Sequence, residues 1–199
     1  LEVIGGSGDN CYGISATSII ISGGEVTATG GEAQRDSSGI RASSITISGG
    51  QVTGRGGNAM WDSWGIIANG TGSSINISGS ANVTASSGEA KYSEGITAST
   101  ITISGGELTA TGGSTTESGG GSVAISASSS FEISGGTVTA TGGEAPGSIG
   151  IWTDPESGSI DISGGTVTAT GGTHALSSTP MLDDYIDYTA VGAESVVGG

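Results

Sequence analysis

The amino-acid chain has 199 residues, of which 41 are Gly and only 4% are aromatic. Its 19 acidic and 4 basic residues give a formal net charge of −15, which argues against a nucleic-acid partner, because phosphates are bound mainly by Lys and Arg. No apolar run approaches the roughly 18 residues that a membrane-spanning helix needs, so we expect no membrane insertion. The single cysteine, Cys11, excludes an internal disulfide.

A short repeat organises the chain. The phrase Ile-Ser-Gly-Gly places its Ser at positions 22, 48, 104, 134 and 163, and Ser78 fills the same position in a degenerate copy. Each copy reads Gly-Ile-x-Ala, a short turn, Ile-x-Ile-Ser, Gly-Gly, Val-Thr-Ala-Thr and a second Gly-Gly, followed by a segment of variable sequence. Repeats of this size indicate a solenoid in which each copy forms one coil.

Three strands are predicted in every copy. In the second copy they cover 39–42, 45–48 and 52–55, and each alternates apolar and polar residues with the period of two that is typical of a half-buried strand. β-Branched Ile and Val, which favour strands, fill most of the inward positions. The predicted inward residues are Ile14, Ala16, Ile19, Ile21, Val26, Ala28, Ile40, Ala42, Ile45, Ile47, Val52, Gly54, Ile96, Ala98, Ile101, Ile103, Leu108, Ala110, Ile125, Ala127, Phe131, Ile133, Val138 and Ala140.

This pattern predicts an all-β fold, a single-domain, three-sided parallel β-helix of about six coils, right-handed, over residues 1–172. Residues 173–199 are predicted to form a C-terminal cap and a linker to a following region, with the bulky segment 180–188 covering the last coil. Both Gly-Gly pairs are predicted to be turns with positive φ. The chain opens with Leu1-Glu2-Val3, already inside the repeat, so we expect it to be part of a longer protein.

The variable segments connect the third strand of one copy to the first strand of the next. Stacking therefore places them along one edge of the solenoid, and variable loops on a rigid scaffold are a common place for recognition. Aromatic residues concentrate in or beside this edge, namely Tyr12, Trp61, Trp64, Tyr92 and Trp152. Because sugar rings stack on flat aromatic rings, these five residues predict a glycan-binding face. The alternative is that the rings only close the loops over the corner of the solenoid.

Carboxylates on the same edge suggest a second site. Asp36 and Asp62 hold equivalent positions in adjacent copies, about 5 Å apart in a stacked solenoid, and Glu94 is near them. Calcium binds several carboxylate oxygens, so Asp36, Asp62 and Glu94 predict a metal site, with a solvated acidic edge as the alternative. Such a pair also resembles the carboxylates of a glycosidase. However, His174 is the only His and the basic residues are scattered, which favours a non-catalytic protein.

The third strands present two outward columns that consist mostly of Thr. Thr109 and Thr111 represent them in one copy, and Arg55 interrupts one column. These columns resemble the Thr-x-Thr faces of ice-binding solenoids. The alternative is that Thr is a favourable strand residue on a solvated face.

The phrase Ile-Ser-Gly-Gly-Thr-Val-Thr-Ala-Thr-Gly-Gly at 133–143 and 162–172, together with Gly-Ile-x-Ala, resembles the repeats of large secreted surface proteins of gut Firmicutes. Those proteins are described as adhesin-like or carbohydrate-binding β-helix proteins. The resemblance implies a non-catalytic module, secreted or on the bacterial cell surface, that belongs to a longer surface protein and binds a glycan or host-surface ligand without a cofactor. We expect a monomer, and a purely structural stalk and an ice-binding protein remain the alternative functions.

Overall fold

The computed structural model describes residues 1–115, 120–145, 147–171, 174–177 and 194–197. Within these ranges the chain forms β-strands and no helix, and the strands stack as a parallel β-solenoid of about six turns. Accordingly, this part of the chain offers no helix long and apolar enough to cross a membrane. The predicted fold class is confirmed, while the right-handed coiling stays a prediction.

Three parallel ladders form the sides of the solenoid. The first sheet contains β2 (Gly8–Ser15), β5 (Ala33–Ala42), β8 (Asp62–Ala68), the first parts of β11 (Tyr92–Thr111) and β12 (Gly121–Thr141), β13 (Ile149–Thr153) and β15 (His174–Ser177). The second contains β3 (Ser18–Ile21), β6 (Ser44–Ile47), β9 (Ser74–Ile77), the middle of β11 and β12, and the first part of β14 (Ser159–Thr170). The third contains β1 (Glu2–Ile4), β4 (Glu25–Thr29), β7 (Gln51–Arg55), β10 (Asn82–Ser86) and the ends of β11, β12 and β14.

Aliphatic side chains at equivalent positions stack into ladders inside the solenoid. Ile40, Ile66, Ile96, Ile125 and Ile151 follow one another in register and are all 0% exposed. Burial of one such side chain contributes roughly 1.5–3 kcal/mol, so the ladders are the main source of stability. The predicted inward residues from the second coil onward are buried.

The first coil is less completely buried than the prediction implies. Ile14, Ile19 and Val26 are half-buried and Ala16 is exposed, whereas their equivalents in the second coil are buried. The physical reason is that β2 and β3 are each paired on one side only, and β4 is covered on its other side only by the three-residue strand β1.

The two Gly-Gly corners differ. Between the second and third sheets the second Gly of the pair has positive φ, as predicted; Gly106, with φ of 82°, is typical. At the corner after the third sheet, no described Gly of the pair has positive φ, so that part of the prediction is wrong. There the glycines are required by close packing, because a Cβ on Gly56 would overlap Oγ of Ser63.

Buried serines interlock the coils at this second corner. Ser37, Ser63, Ser93 and Ser122 hold one position in successive coils and are all 0% exposed. Oγ of Ser63 donates a hydrogen bond to the carbonyl of Gly57 (2.8 Å) and accepts one from the N–H of Gly88 in the next coil (2.8 Å). Ser at this position therefore satisfies backbone groups that would otherwise be buried without partners.

At the C-terminal end, strand pairing continues past residue 172. β15 pairs in parallel with β13, and β16 (Glu194–Val197) pairs antiparallel with the end of β14. The predicted capping segment 180–188 lies outside the described residues. The division between the coil array and a cap and linker stays a prediction.

Candidate ligand-binding edge

The variable segments of coils two to four also stack, as a strip that leads into the first sheet and that we call the edge (residues 31–36, 57–62 and 88–92). Parallel bridges join Ala33 to Ala59 and Ala90 to Thr115. The N–H of Ala33 donates to the carbonyl of Asn58 and that of Ala59 to the carbonyl of Glu89, both at 2.9 Å. These segments, predicted from sequence to be variable loops along one edge, therefore form an ordered surface continuous with the first sheet.

A short motif that our sequence analysis missed builds the edge. It reads Gly-Gly-Glu-Ala at 30–33 and 142–145, Gly-Gly-Asn-Ala at 56–59 and Ser-Gly-Glu-Ala at 87–90. The Ala side chains of the second and third edge rungs point into the molecule, Ala59 being 8% and Ala90 0% exposed. The preceding residues, Glu32, Asn58 and Glu89, are exposed. The recurrence of Ala directly after the Gly-Gly-Glu phrase is the signal that could have revealed this stacking.

Two adjoining shallow grooves, both widely open to solvent, run along the edge, with volumes of about 350 and 480 Å³. The larger groove is lined by Ser7, Gly8, Glu32, Ala33 and Gln34. The smaller groove is lined by Glu32, Ala33, Asn58, Ala59, Met60 and Glu89. Because they share Glu32 and Ala33, the grooves together cross four coils parallel to the solenoid axis.

Two of the five predicted ligand residues come together beside the smaller groove. Trp61 is 52% and Tyr92 37% exposed, and the N–H of Tyr92 donates to the carbonyl of Trp61 at 2.8 Å. Nζ of Lys91 lies 5.1 Å from the ring centroid of Trp61 and 5.6 Å from that of Tyr92. Met60, which precedes Trp61, lines the groove and is 66% exposed; we call Met60, Trp61 and Tyr92 the aromatic patch.

The other three predicted ligand residues lie on the outer surface of the first sheet and are half-buried. Nε1 of Trp64 donates to Oε2 of Glu94 at 2.8 Å. Nη1 of Arg41 donates to the Tyr12 hydroxyl at 2.9 Å, and its guanidinium lies 4.8 Å from the Tyr12 ring centroid. Trp152 is on the same surface, in register with Ser126. The structure thus separates Tyr12, Trp64 and Trp152 from the aromatic patch, and gives Tyr12 and Trp64 side-chain partners of their own.

The predicted metal residues are close in space. Asp36 and Asp62 are in register in adjacent coils, as expected, and Glu94 is in register with Trp64. Burial raises the pKa of Asp62 to about 6, and the charges of Asp36 and then Glu94 add to the effect. Among the described residues, however, no group of three or more Asp, Glu, His or Cys side chains is arranged to hold a metal ion. A calcium site at Asp36, Asp62 and Glu94 stays a prediction.

The third sheet carries the expected Thr column. Thr27, Thr53, Thr84, Thr109, Thr139 and Thr168 are in register in six successive strands. Arg55 and Ser86 interrupt the neighbouring column, which otherwise contains Thr29, Thr111, Thr141 and Thr170. The hydroxyl and methyl groups on this face therefore have a regular two-dimensional spacing.

Comparison with known proteins bears on the fold. Residues 19–40, 101–125, 131–150 and 160–175 match the family model described as Beta helix repeat. No curated protein and no solved structure matches the chain. The matched segments contain the Ile-rich strands and Gly-Gly corners described above, and the structure stacks them in parallel register. The chain is a repeat-containing β-helix protein.

Proposed function

We propose that the protein is a non-catalytic carbohydrate-binding or adhesion module of a secreted or cell-surface protein, with its ligand along the edge. The observation that carries this proposal is the aromatic patch, in which Trp61 and Tyr92 from successive coils expose their rings beside a groove. Large exposed aromatic residues on a rigid scaffold are typical of recognition surfaces.

The shape of the edge supports an elongated ligand. The grooves cross four coils, and their lining combines the apolar Ala33, Ala59 and Met60 with the polar Glu32, Asn58 and Glu89. A sugar chain offers both kinds of partner, because pyranose rings have apolar C–H faces and hydroxyl rims. A preformed groove also lowers the entropic cost of binding, since the stacked edge is already ordered.

The first experiment is a glycan-array screen of the purified chain with and without calcium, followed by calorimetric titration of any glycan that binds. We expect Trp61→Ala with Tyr92→Ala to weaken binding at least about tenfold, the change that loss of roughly 1.4 kcal/mol produces. Ile20→Ala is the matched control, because Ile20 is an exposed apolar residue (76%) on the second sheet. A calcium requirement that Asp62→Asn removes would support the metal site.

Two outcomes would overturn the proposal. If no glycan binds under either condition, the structural stalk becomes the better interpretation. If a glycan binds equally well to the double variant and to Ile20→Ala, the ligand site lies elsewhere on the molecule.

Ice binding is a second candidate, favoured by the register of the Thr column on the third sheet. A regular array of hydroxyl and methyl groups can order water at spacings that an ice surface shares. This function predicts thermal hysteresis that Thr109→Leu with Thr139→Leu abolishes and that Trp61→Ala leaves unchanged. Absence of thermal hysteresis in the unmodified protein would eliminate it.

A further inference from the structure

We propose that the edge selects glycans that carry free amino groups, such as chains of amino sugars without N-acetyl groups. This inference rests on the proposed function and specifies the ligand class. It starts from the charge of the groove: among the described residues that line it are the carboxylates Glu32 and Glu89 and no Lys or Arg. Both carboxylates are exposed, so a ligand in the groove would meet them directly.

The spacing of these groups suits a polymer. Glu32, Asn58 and Glu89 precede the stacked Ala residues of three successive coils, and the N–H of Glu89 donates to Oδ1 of Asn58 at 3.0 Å. Coils repeat about every 4.8 Å, which places the backbones of Glu32 and Glu89 roughly 9.6 Å apart. One coil is thus comparable in length to one pyranose unit in an extended glycan. Amino groups on alternate sugar units along the axis would therefore meet the two carboxylates.

The aromatic patch already holds a cation. The ammonium of Lys91 lies over the rings of Trp61 and Tyr92, within the distance at which cation–π attraction is significant. This contact shows that the ring faces are placed to receive a positive charge. An amino group of a bound ligand would compete with Lys91 for the same faces, and Lys91 would also repel that ligand.

The wider surroundings point in the same direction. In or beside the edge, acidic residues outnumber basic ones. The acidic residues are Asp9, Glu32, Asp36, Asp62, Glu89 and Glu94, and the basic ones are Arg35, Arg55 and Lys91. Together with the net charge of −15, this distribution favours the approach of a cationic polymer and opposes a polyanionic one.

The test is calorimetric titration with three oligosaccharides of equal length: β-1,4-linked glucosamine, β-1,4-linked N-acetylglucosamine and galacturonate. At low ionic strength we expect the glucosamine oligomer to bind at least about tenfold more tightly than its acetylated form, and galacturonate not to bind. The preference should shrink at high salt, because ion pairs at exposed groups are screened.

Charge-neutral variants sharpen the test. Glu32→Gln with Glu89→Gln should weaken binding of the glucosamine oligomer until the two amino-sugar oligomers have similar affinity. Glu25→Gln with Glu107→Gln, which removes two exposed carboxylates from the third sheet, should preserve the preference. Lys91→Met should increase the preference for the glucosamine oligomer over its acetylated form, because it removes the positive charge beside the rings.

The remaining outcomes are distinct from one another. Equal binding of the acetylated and free-amine oligomers would overturn this inference and leave the proposed glycan binding intact. Failure of all three sugars, in a protein that also binds nothing on the array, would overturn both. Binding of oligolysine without any sugar would show that the groove takes a basic polypeptide, and would likewise overturn the glycan proposal.

Discussion

The two Gly-Gly corners of coil four have the same sequence and meet different physical demands. At the first, between the second and third sheets, Gly106 has a φ of 82°, and a Cβ built on Gly105 would lie 3.2 Å from the nearest backbone atoms of Gly79. At the second, after the third sheet, neither Gly112 nor Gly113 has positive φ, and a Cβ on Gly113 would overlap the carbonyl oxygen of Gly88. At the first corner Gly is required because the backbone has positive φ. At the second corner Gly is required because there is no room for a Cβ atom. The chain passes from the second corner directly into the edge and its grooves.

The largest effect should come from breaking the second corner. Gly113→Ala forces a methyl group against backbone atoms of the preceding coil, so we expect it to lower the free energy of unfolding by about 3 kcal/mol. Gly105→Ala in the same coil meets looser contacts and should cost less than about 1 kcal/mol. Urea denaturation of both variants measures the difference. Equal destabilisation would contradict the distinction between the corners.

A smaller effect should follow from removing the serine that occupies the space at this corner. Ser63→Ala leaves the carbonyl of Gly57 and the N–H of Gly88 without their hydrogen-bond partner, which we expect to cost about 2 kcal/mol. Ser63→Cys is the matched variant, because Cys11 occupies the same position in the first coil and its Sγ lies 3.2 Å from the carbonyl oxygen of Glu32.

We expect the stability of Ser63→Cys, measured by urea denaturation, to lie between those of the unmodified protein and Ser63→Ala. If Ser63→Ala is as stable as the unmodified protein, the serines are not what locks the coils together.

The smallest effect concerns the edge that the second corner leads into. The pKa of Asp62 is raised from 3.8 to about 6 in the folded protein, so the folded state binds a proton more tightly than the unfolded chain. The charged Asp62 carboxylate therefore destabilises the folded protein above pH 6. This destabilisation disappears as the pH falls toward 3.8 and the carboxylate is protonated.

Asp62→Asn should raise Tm at pH 7.5 by roughly 2–4 °C, corresponding to about 1 kcal/mol after allowance for partial exposure. At pH 4 the difference should vanish. Thermal unfolding at both pH values measures it, with Asp161→Asn, on the second sheet, as the control. A Tm difference that is independent of pH would mean that Asp62 is not held in a desolvated acidic surrounding.

The three-sided fold could be predicted because its signal is local. Alternation of apolar residues within strands such as 45–48, repeated at nearly constant intervals, identifies the inward face without knowledge of the neighbouring coil. The same reasoning could not separate the two Gly-Gly corners, because the need for Gly at 113 arises from an atom of Gly88 in the preceding coil. Ser63 was missed although Ser recurs two positions before the Gly-Ile pair, at 37, 63, 93 and 148, because the backbone groups that need it come together only when coils stack.

The candidate site was predicted in part. Trp61 lies at the variable edge, as predicted from sequence. Trp64 and Tyr12 instead lie on the first sheet, where their side chains contact Glu94 and Arg41. The groove was missed because Glu32, Asn58 and Glu89 come together only when coils stack. Their shared context, a Gly-containing pair before and Ala after, is the sequence feature that could have placed them.

The stacked Gly-Gly-Glu-Ala phrase has a consequence for how such a protein can evolve. Each rung of the groove is specified by a few residues that follow a Gly-Gly or Ser-Gly pair, and the Ala after them pairs with the neighbouring coil. Duplication of one coil would lengthen the groove by one rung, and drift at position 32, 58 or 89 would alter one rung without disturbing the others. Ligand preference could then change by duplication of coils and by substitutions in single rungs. The Ile ladders and the buried serines would meanwhile stay under separate selection for folding.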